Sequence, residues 1–390
     1  MKRVGVLLSA GPGGGVLQYT QAILDAVMTL PSDYALTAAF SDDSWHDHLS
    51  SRVGVVKLED TRGNRALNKF WHSTGMSMAA WRKTAARLDS NVRALVHAKC
   101  DLWICPNHER YVFRAPIPAL GTIHDLMHRY EKRFPEVSAN GEYEAREFHF
   151  SETVKCSRGI LVDSELGKQQ VVESYHADPD KIFVLPYIAP PWIYDYDGSD
   201  DAAVKQKYSL PDKYFFYPAQ FYKHKNHTNL LVALSRLKGT HPDVKLVLVG
   251  AKERNGYEEV VTQVRNLGLQ ENVVFAGYAA DREMAAFYHQ ARALVMPTFF
   301  GPTNIPQLEA FALGCPVGTS RIYGIPAQVG DAALLFDPGS VNEIYTCLSR
   351  LWSDDALCAS LIERGHAHAR RWGPAQFQAR FREIVGALTS

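Results

Sequence analysis

The chain has 390 residues, and Lys plus Arg and Asp plus Glu each total 42, so the formal net charge is zero. A balanced charge creates no overall field that would attract nucleic acid or an anionic lipid surface, so no nucleic-acid partner is expected. Hydrophobic residues make up 46% and charged residues 22% of the chain, which is the composition of a globular protein with buried cores. A chain of this length is expected to form two domains.

Cysteine usage and the first residues bear on the cellular compartment. None of the six cysteines forms a C-x-x-C pair, so we expect the reduced, mostly buried thiols of a cytosolic protein. The apolar run after the basic start is too short for a signal peptide and instead predicts a first strand. No segment reaches the roughly 18 apolar residues that a membrane span requires.

Short β-rich runs alternate with longer helical patterns along the first half of the chain. Helices are predicted at residues 16–30 and about 76–98, with a third between the last two strands. Residues 189–201 contain two prolines, one glycine and four aspartates and predict a linker, which we place at 191–205. The predicted strands are residues 3–9, 35–41, 53–58, 101–106, 117–125, 159–164 and 181–187.

The second half of the chain repeats this alternation. Because buried strands alternate with helices, each half predicts a parallel sheet that is covered on both faces. The predicted fold class is therefore α/β, with two doubly wound Rossmann-like domains, 1–190 and 206–373, facing each other across a cleft. A C-terminal helix, 374–390, could pack back on the first domain. The predicted strands of this half are residues 213–219, 245–251, 272–278, 291–297 and 315–320.

The first candidate site is a glycine-rich turn directly after the first strand. Gly13, Gly14 and Gly15 allow a ligand to approach bare backbone. The helix that follows offers free N–H groups and the positive end of its dipole. The run lacks the spacing of the G-x-G-x-x-G fingerprint, so a plain strand-to-helix turn is the alternative.

The second candidate site lies at the end of the first strand of the second half, where a parallel sheet places its ligand crevice. Lys223 and Lys225 flank His224 there. Two ammonium groups at that edge would neutralise a diphosphate. The alternative is a solvated basic turn.

The third candidate site is the pair His124 and Asp125, which ends an apolar strand of the first half. A histidine in this position could donate to a sugar hydroxyl or help to stabilise developing charge. The alternative is a histidine with a structural role only.

The fourth candidate site is the run FFGPTNIPQLEAFALGCP, residues 299–316. Asn304 is a suitable N-cap for the exposed start of a helix, and Thr303, Asn304 and Ile305 would direct backbone N–H groups into the cleft. Glu309, one turn inside the helix, could accept both hydroxyls of a ribose, as the acidic residue of dinucleotide folds does. The alternative, a surface glutamate, fits poorly with its apolar neighbours.

These residues together resemble the retaining GT-B glycosyltransferases of the Glu-x7-Glu type, a family 4-like group. The most specific part is PTNIPQLEAFALGCPV, which is similar to the family block Leu-Pro-x-x-Glu-Ala-x-Ala-x-Gly-x-Pro-Val. The glycine-rich loop, the His-Asp strand end at His124 and the pair Lys225-Asn226 also match. Residues 162–186 and 330–338 are similar to the family segments before the linker and after the donor site.

The resemblance implies a role for three residues, which are the expected catalytic residues. Glu309 would hold the ribose, Lys225 would hold the diphosphate, and His124 would lie beside the transferred sugar. Two positions depart from the family pattern, because Gly301 stands where the first glutamate is expected and Gln220 stands where an arginine is usual. The residues expected to bind the donor are Gly14, Gly15, Gln220, Lys223, Lys225, Gly250, Tyr278, Thr303, Asn304, Ile305 and Glu309.

The paired loss of a carboxylate and a guanidinium suggests a compensation. Backbone N–H groups of residues 301–304 would cover the junction of sugar and phosphate, and Lys223 would supply the missing cation. Two lysines and a helix N-terminus could then stabilise the departing nucleoside diphosphate. No Asp-x-Asp motif stands at a strand end, so we expect no metal and no cofactor besides the nucleotide sugar as co-substrate.

We therefore expect a cytoplasmic glycosyltransferase that holds a nucleotide sugar in its second domain and a saccharide or lipid-linked acceptor in its first. By resemblance, it would transfer a hexose or deoxyhexose, with mannose one candidate, in polysaccharide or lipopolysaccharide biosynthesis. Retention of anomeric configuration is also implied by resemblance. The rivals are a non-catalytic sugar-nucleotide-binding protein and a GT-B-type epimerase or hydrolase.

The acceptor side offers one further pattern. Residues 62–93 carry Trp71, Trp81 and several basic residues ahead of and along a helix. Aromatic residues beside cations suit peripheral contact with the cytoplasmic membrane face. The alternative is an amphipathic helix with a solvated basic face.

Overall fold

The computed structural model describes residues 1–9, 14–252 and 256–390. Gly13, one of the three glycines of the predicted turn, lies outside the described residues. Packing divides the chain into two compact units. Unit 1 comprises Met1–Leu126, Tyr143–Pro186 and Pro374–Ser390, and unit 2 comprises Met127–Glu142 and Tyr187–Gly373.

Seven strands of the described part of unit 1 form a fully parallel sheet. They are β1 (Lys2–Leu8), β2 (Tyr34–Phe40), β3 (Val53–Lys57), β4 (Leu102–Ile104), β5 (Ala119–Thr122), β6 (Gly159–Val162) and β7 (Ile182–Val184). Their order is β3-β2-β1-β4-β5-β6-β7. The chain therefore adds strands first on one side of β1 and then on the other, which is the doubly wound pattern.

Six strands of the described part of unit 2 form a second fully parallel sheet. They are β8 (Phe215–Pro218), β9 (Leu246–Val249), β10 (Val273–Gly277), β11 (Ala293–Met296), β12 (Val317–Ser320) and β13 (Ala333–Phe336). Their order is β10-β9-β8-β11-β12-β13, so the direction of winding reverses between β8 and β11. The prediction of an α/β fold with two doubly wound, Rossmann-like sheets is confirmed.

Helices connect the strands and cover the sheets. None of those in the described ranges has both the length and the apolar composition that crossing a bilayer requires. In chain order they are α1 (Gly15–Met28), α2 (Arg62–Thr74), α3 (Met78–Leu88), α4 (Ser90–His97), α5 (Tyr111–Arg114), α6 (Met127–Tyr130), α7 (Pro135–Ser138), α8 (Glu142–Cys156), α9 (Glu165–Tyr175), α10 (Pro191–Tyr194), α11 (Asp201–Tyr208), α12 (His227–Lys238), α13 (Tyr257–Asn266), α14 (Asp281–Gln290), α15 (Ile305–Ala312), α16 (Ile325–Val329), α17 (Val341–Ser353), α18 (Asp355–Arg371) and α19 (Pro374–Leu388).

The long helix predicted at residues 76–98 is instead two helices, α3 and α4, which are separated at Asp89. The backbone of Asp89 is extended, and its carboxylate accepts the N–H groups of Asn91 at 2.9 Å and Val92 at 3.1 Å. A side chain that satisfies these N–H groups starts a new helix. The apolar spacing continues across the break, which is why the sequence predicts one helix.

The two tryptophans of segment 62–93 lie in the core of unit 1, whereas Phe70 is exposed. Trp71 is 7% exposed and Trp81 is 1% exposed, and their rings lie 5.5 Å apart. The guanidinium carbon of Arg114 lies 4.6 Å from the centre of the Trp71 ring. The expectation that these two aromatic rings contact a membrane is therefore wrong, because other protein groups already cover them.

The segment predicted as a linker is packed on unit 2. Ile193 is 1% exposed and belongs to the core of that unit. The carboxylate of Asp201 accepts the hydroxyl of Tyr196 at 2.7 Å and lies 2.7 Å from ring Nδ1 of His289. The prolines and aspartates of this segment are typical of a linker, but Ile193 and the partly buried Trp192 and Tyr196 attach it to that unit.

The last helix, α19, lies in unit 1 and packs against α1. Its Phe377 and Phe381 are fully buried, and the ring of Phe377 lies 6.4 Å from the ring of Tyr19. The end of the chain therefore completes the same core that the first strand and helix begin.

Candidate functional site

The carboxyl ends of the strands of unit 2 share one edge of the sheet, because the strands are parallel. Most of the residues predicted to bind a donor follow strands at that edge. They are Gln220, Lys223 and Lys225 after β8, Gly250 after β9, Tyr278 after β10, and Thr303, Asn304, Ile305 and Glu309 after β11. The remaining predicted residues, Gly14, Gly15 and His124, belong to unit 1.

The turn that carries the two lysines is fixed to the loop after β11. Residues Lys223–Lys225 form a 3-10 turn between β8 and α12. The carbonyl of His224 accepts the backbone N–H of Phe299 at 2.7 Å, and the carbonyl of Lys225 accepts the hydroxyl of Tyr217 at 2.8 Å. The second and fourth candidate sites of the sequence are thus in direct contact.

Asn226 ties the same turn to two further strand ends. Its φ of 58° is left-handed, and it precedes the first residue of α12. Its Nδ2 donates to the carbonyls of Pro297 at 2.9 Å and Pro338 at 2.8 Å, which follow β11 and β13. The N-terminus of α12 is therefore anchored beside the lysine turn.

The Lys223 side chain is more weakly held than the backbone of its turn. It is 58% exposed, and its Nζ lies 3.9 Å from Oε1 of Glu259, which is 70% exposed. An ion pair between two such exposed groups contributes little to holding either side chain. Lys223 can therefore turn toward an anion at this edge, as the proposed substitute for the missing arginine requires.

Gln220 stands at the position of that arginine and joins the ends of β8 and β9. Its Oε1 accepts the backbone N–H of Ala251 at 3.3 Å. The N–H of the adjacent Gly250 donates to the carbonyl of Gly277 at 3.0 Å, at the end of β10. A Cβ on Gly250 would lie only 2.5 Å from the carbonyl oxygen of Ala219, so no other residue fits between these strand ends. Tyr278, just beyond them, is 61% exposed.

The loop before α15 is held by a side chain of α16. Oε1 of Gln328 accepts the backbone N–H of Asn304 at 2.9 Å, and its Nε2 donates to the Asn304 carbonyl at 2.7 Å. The expectation that Asn304 directs its N–H toward a ligand is therefore not met. A backbone clamp on the donor would depend on Thr303 and Ile305.

Asn304 occupies the N-cap position of α15 as predicted, but its side chain makes no capping hydrogen bond. Its carboxamide instead lies against Gly301, whose φ is +150°. A Cβ on Gly301 would lie 2.6 Å from Nδ2 and 2.8 Å from Oδ1 of Asn304. The position of the family's first glutamate is thus filled by the side chain of a neighbour.

Replacing Gly301 with alanine is expected to lower the free energy of unfolding by about 1–2 kcal/mol, because residues with a Cβ rarely adopt this backbone conformation. Repeating the substitution in an Asn304→Ala background removes the contact with the carboxamide. The difference between the two losses, measured by urea unfolding, gives the part due to that contact. Gly301→Glu is expected to lower the melting temperature as well, and an unchanged melting temperature would contradict this packing.

Glu309 is 3% exposed, so the alternative of a surface glutamate is wrong. The helix start is not exposed as predicted either, because Ile305, the first residue of α15, is buried. The hydroxyl of Tyr288, on α14, donates to Oε2 of Glu309 at 2.5 Å. Burial, and then the charge of Glu309, raise the pKa of Tyr288 well above its ordinary value, so this hydroxyl keeps its proton. Tyr288 was not predicted from the sequence, because its contact with Glu309 joins two helices on either side of β11.

His124 follows β5 in unit 1, where the sequence placed it. Its Nε2 lies 3.0 Å from the carbonyl oxygen of Pro106, so this nitrogen must carry the proton and donate. Burial lowers the pKa of His124 to about 4, although Asp125 and the Pro106 carbonyl act in the opposite direction. The ring is therefore neutral at pH 7, with the lone pair on Nδ1. In this tautomer Nδ1 can accept from a sugar hydroxyl but cannot donate to one.

Gly14 and Gly15 lie at the start of α1, and Gly14 is the first described residue after Ser9. Gly14 has a φ of +84° and is the N-cap, and α1 begins at Gly15. A Cβ on Gly14 would meet no atom within 4 Å. Glycine is therefore favoured here by the positive φ of the backbone, and not by a lack of space for a side chain. The predicted helix is thus present, and it begins directly after Gly14.

A cavity of about 400 Å³ lies in unit 1 at the carboxyl ends of β1 to β4, a size within the usual range of ligand sites. Its walls include Ser9, Glu59, His108 and Glu109. The ring centre of His108 lies 5.5 Å from that of His124, so the cavity adjoins the predicted catalytic histidine. The sequence did not predict this site, because its walls come from strands, helices and loops spread between Leu7 and Arg114.

Glu109 is the buried acid of this cavity. It is 7% exposed and accepts the hydroxyl of Ser9 on Oε1. Burial raises the pKa of Glu109 to about 7, against the lowering effect of that hydrogen bond. Near neutral pH it is present in both forms, so it can either donate to or accept from a hydroxyl group.

Residues 200–368 match the family model described as "Glycosyl transferases group 1". The chain is similar to O-antigen chain mannosyltransferase B of Escherichia coli, with 26% identity over 71% of this chain and 74% of that protein. It is also 25% identical to the serotype-specific mannosyltransferase WbdA of Escherichia coli, over 59% of this chain but only 29% of that protein. The chain therefore spans less than a third of that second relative.

The whole chain is also similar to the crystal structure of Anabaena HepE in complex with UDP-glucose, with a TM-score of 0.75 and 15% identity over 99% of this chain and 100% of that one. The fold is GT-B. At this identity the likeness concerns the fold alone, and the family match covers residues 200–368, which lie in unit 2.

Proposed function

We propose that the protein is a retaining, metal-independent glycosyltransferase that moves a hexose or deoxyhexose from a nucleoside-diphosphate sugar to a saccharide or lipid-linked acceptor. The observation that carries the proposal is the contact between the lysine turn and the loop before α15, within the segment that matches the group 1 family. The names of the two Escherichia coli relatives favour a mannosyl donor and a place in O-antigen or related polysaccharide synthesis. Reaction at the cytoplasmic face of the membrane is part of the proposal.

The donor site in unit 2 would stabilise the leaving group. Lys225, Lys223 and the N-terminus of α12 supply positive charge beside the diphosphate, where negative charge grows as the bond to the sugar breaks. Glu309, fixed by Tyr288, would accept the ribose hydroxyls. Asn226 contributes by anchoring the helix terminus to β11 and β13.

In the proposed reaction, the bond between C1 of the sugar and the diphosphate oxygen breaks, and its electron pair stays on that oxygen. The acceptor hydroxyl oxygen forms the new bond to the same face of C1, and its proton leaves with the diphosphate. The cavity of unit 1 would hold the acceptor, with Glu109 as a partner for its hydroxyl groups and His124 beside the transferred sugar.

The donor class can be tested by thermal unfolding in the presence of UDP-, GDP-, dTDP- and ADP-sugars. A ligand that binds the folded state alone raises the melting temperature by mass action, so the matching nucleotide is expected to raise it, with GDP-mannose the first candidate. Removing divalent cations with EDTA is expected to leave the shift unchanged. If none of the four classes shifts the transition, the assignment of unit 2 as a donor site is wrong.

A rival function is favoured by one observation, which is Gly301 at the position of the family's first glutamate. A non-catalytic nucleotide-sugar-binding protein would show the thermal shift but would transfer no sugar. Incubation with the matching donor and a panel of mannosylated acceptors, followed by mass spectrometry, is expected to show a product one hexose heavier. Donor turnover without an acceptor would instead indicate an epimerase or a hydrolase.

A further inference from the structure

The segment Met127–Glu142 follows the strand end at His124 in sequence but belongs to unit 2. It contains the short helices α6 and α7, and Pro135 begins α7. Nothing in the predicted donor set comes from this segment. Its contacts nevertheless reach the lysine turn directly.

Glu136 is the residue that makes this contact. Its Oε1 accepts the backbone N–H of His224 at 3.0 Å and lies 2.5 Å from ring Nδ1 of His224, which must donate to the carboxylate. The side chains are 14% and 12% exposed, so water competes little for these hydrogen bonds. Although partial burial acts in the opposite direction, the hydrogen bonds from His224 lower the pKa of Glu136 to about 2, and the carboxylate is ionised at neutral pH.

His224 is held from its other side as well. Its carbonyl accepts the N–H of Phe299 at 2.7 Å and the hydroxyl of Thr298 at 3.3 Å. The middle residue of the lysine turn is therefore fixed between Glu136 and the loop after β11. Rotation of this turn would require breaking hydrogen bonds on both sides.

The position of Glu136 is itself set by an aromatic cluster. The ring of Phe134 lies 5.8 Å from that of Phe299, and the guanidinium carbon of Arg133 lies 4.8 Å and 4.7 Å from the two ring centres. Glu131 accepts the hydroxyl of Tyr323 at 2.8 Å. The segment is thus attached at several points to the loops that follow β11 and β12.

We propose that Glu136 is a positioning residue of the diphosphate site, which holds His224 so that Lys223 and Lys225 lie where they can contact the phosphates. This inference rests on the proposed function of unit 2 as a nucleotide-sugar site. Glu136 acts on the donor only through the turn. Its loss should therefore affect binding of the second phosphate more than binding of the nucleoside.

The test is calorimetric titration of UDP, GDP, dTDP and ADP into the wild type and into Glu136→Ala, Glu136→Gln and Glu142→Gln variants. For the diphosphate that binds, Glu136→Ala is expected to raise Kd about tenfold, as the loss of charged hydrogen bonds implies, and to change the Kd of the corresponding monophosphate less than about threefold. Glu136→Gln should restore part of the affinity, because its amide oxygen can still accept an N–H. Glu142→Gln, which changes an exposed carboxyl at the end of the same segment, should bind as the wild type does.

Thermal unfolding of each variant separates positioning from folding. Equal Kd values for the diphosphate in the wild type and Glu136→Ala would overturn this inference alone. Equal losses of monophosphate and diphosphate affinity, with a lowered melting temperature, would overturn it in favour of a purely structural role. A wild type that binds none of the four nucleotides would overturn the proposed function and this inference with it.

Discussion

Replacing Glu309 with alanine is expected to weaken binding of the nucleoside diphosphate by about a hundredfold. A buried carboxylate that accepts two ribose hydroxyls makes two charge-assisted hydrogen bonds, each worth about 1.5–3 kcal/mol. The alanine removes both acceptors and leaves the hydroxyl of Tyr288 without the partner that it has at 2.5 Å. Titration calorimetry with the nucleotide found in the thermal screen measures this loss.

Two comparisons separate ribose recognition from damage to the fold. Tyr288→Phe removes the hydroxyl that donates to Glu309 but keeps the carboxylate, so we expect a lower melting temperature and a Kd within a few-fold of the wild type. The wild type should prefer a ribonucleoside diphosphate to its 2′-deoxy counterpart, and Glu309→Ala should remove that preference. A Glu309→Ala variant with wild-type affinity would show that this residue does not hold the ribose.

The fold was accessible from the sequence because strands of a parallel sheet are short, apolar runs separated by helices. Both sheets have the strands that these runs predict, and β13 lies in the segment that the family resemblance covers. The break at Asp89 was not accessible, because one capping side chain interrupts a continuous apolar pattern. The burial of Trp71 and Trp81 was missed for a related reason, since aromatic residues beside cations are equally typical of a core edge and of a membrane surface.

The candidate site was only partly accessible from the sequence. Residues at strand ends, such as Gln220 and Gly250, could be placed because the sheet topology gathers them. Glu136 could not be placed, since its contact with His224 joins residues 88 positions apart that lie in different predicted domains. The sequence also suggests that the Asn304 side chain caps α15. In the structure this carboxamide lies against Gly301, which has no side chain to exclude it, and makes no capping hydrogen bond.

The buried carboxyl of Glu109 is expected to make the free energy of unfolding depend on pH. Burial raises the pKa of this carboxyl from an ordinary value of 4.5 to about 7 in the folded protein. Below about pH 4.5 both folded and unfolded states are protonated, so stability is not affected. Between about pH 4.5 and 7 the unfolded chain loses this proton while the folded protein keeps it, so the free energy of unfolding falls as pH rises. Above pH 7 the accumulated loss is about 3 kcal/mol.

Glu109→Gln keeps an oxygen that can accept the Ser9 hydroxyl but cannot ionise, so it should remove this loss. We expect the variant and the wild type to be similarly stable at pH 4.5, and the variant to be more stable by about 3 kcal/mol at pH 8. Hydrogen exchange of peptides covering β1 and β4 follows the opening of unit 1, where Glu109 lies. Glu144→Gln, which changes an exposed carboxyl on α8, is the control and should show no such difference between the two pH values. Equal stability of the wild type and Glu109→Gln at pH 8 would mean that ionisation of Glu109 does not lower the free energy of unfolding. The carboxyl group would then be a permanent anion in the cavity, which could accept a hydrogen bond from an acceptor hydroxyl but could not donate one.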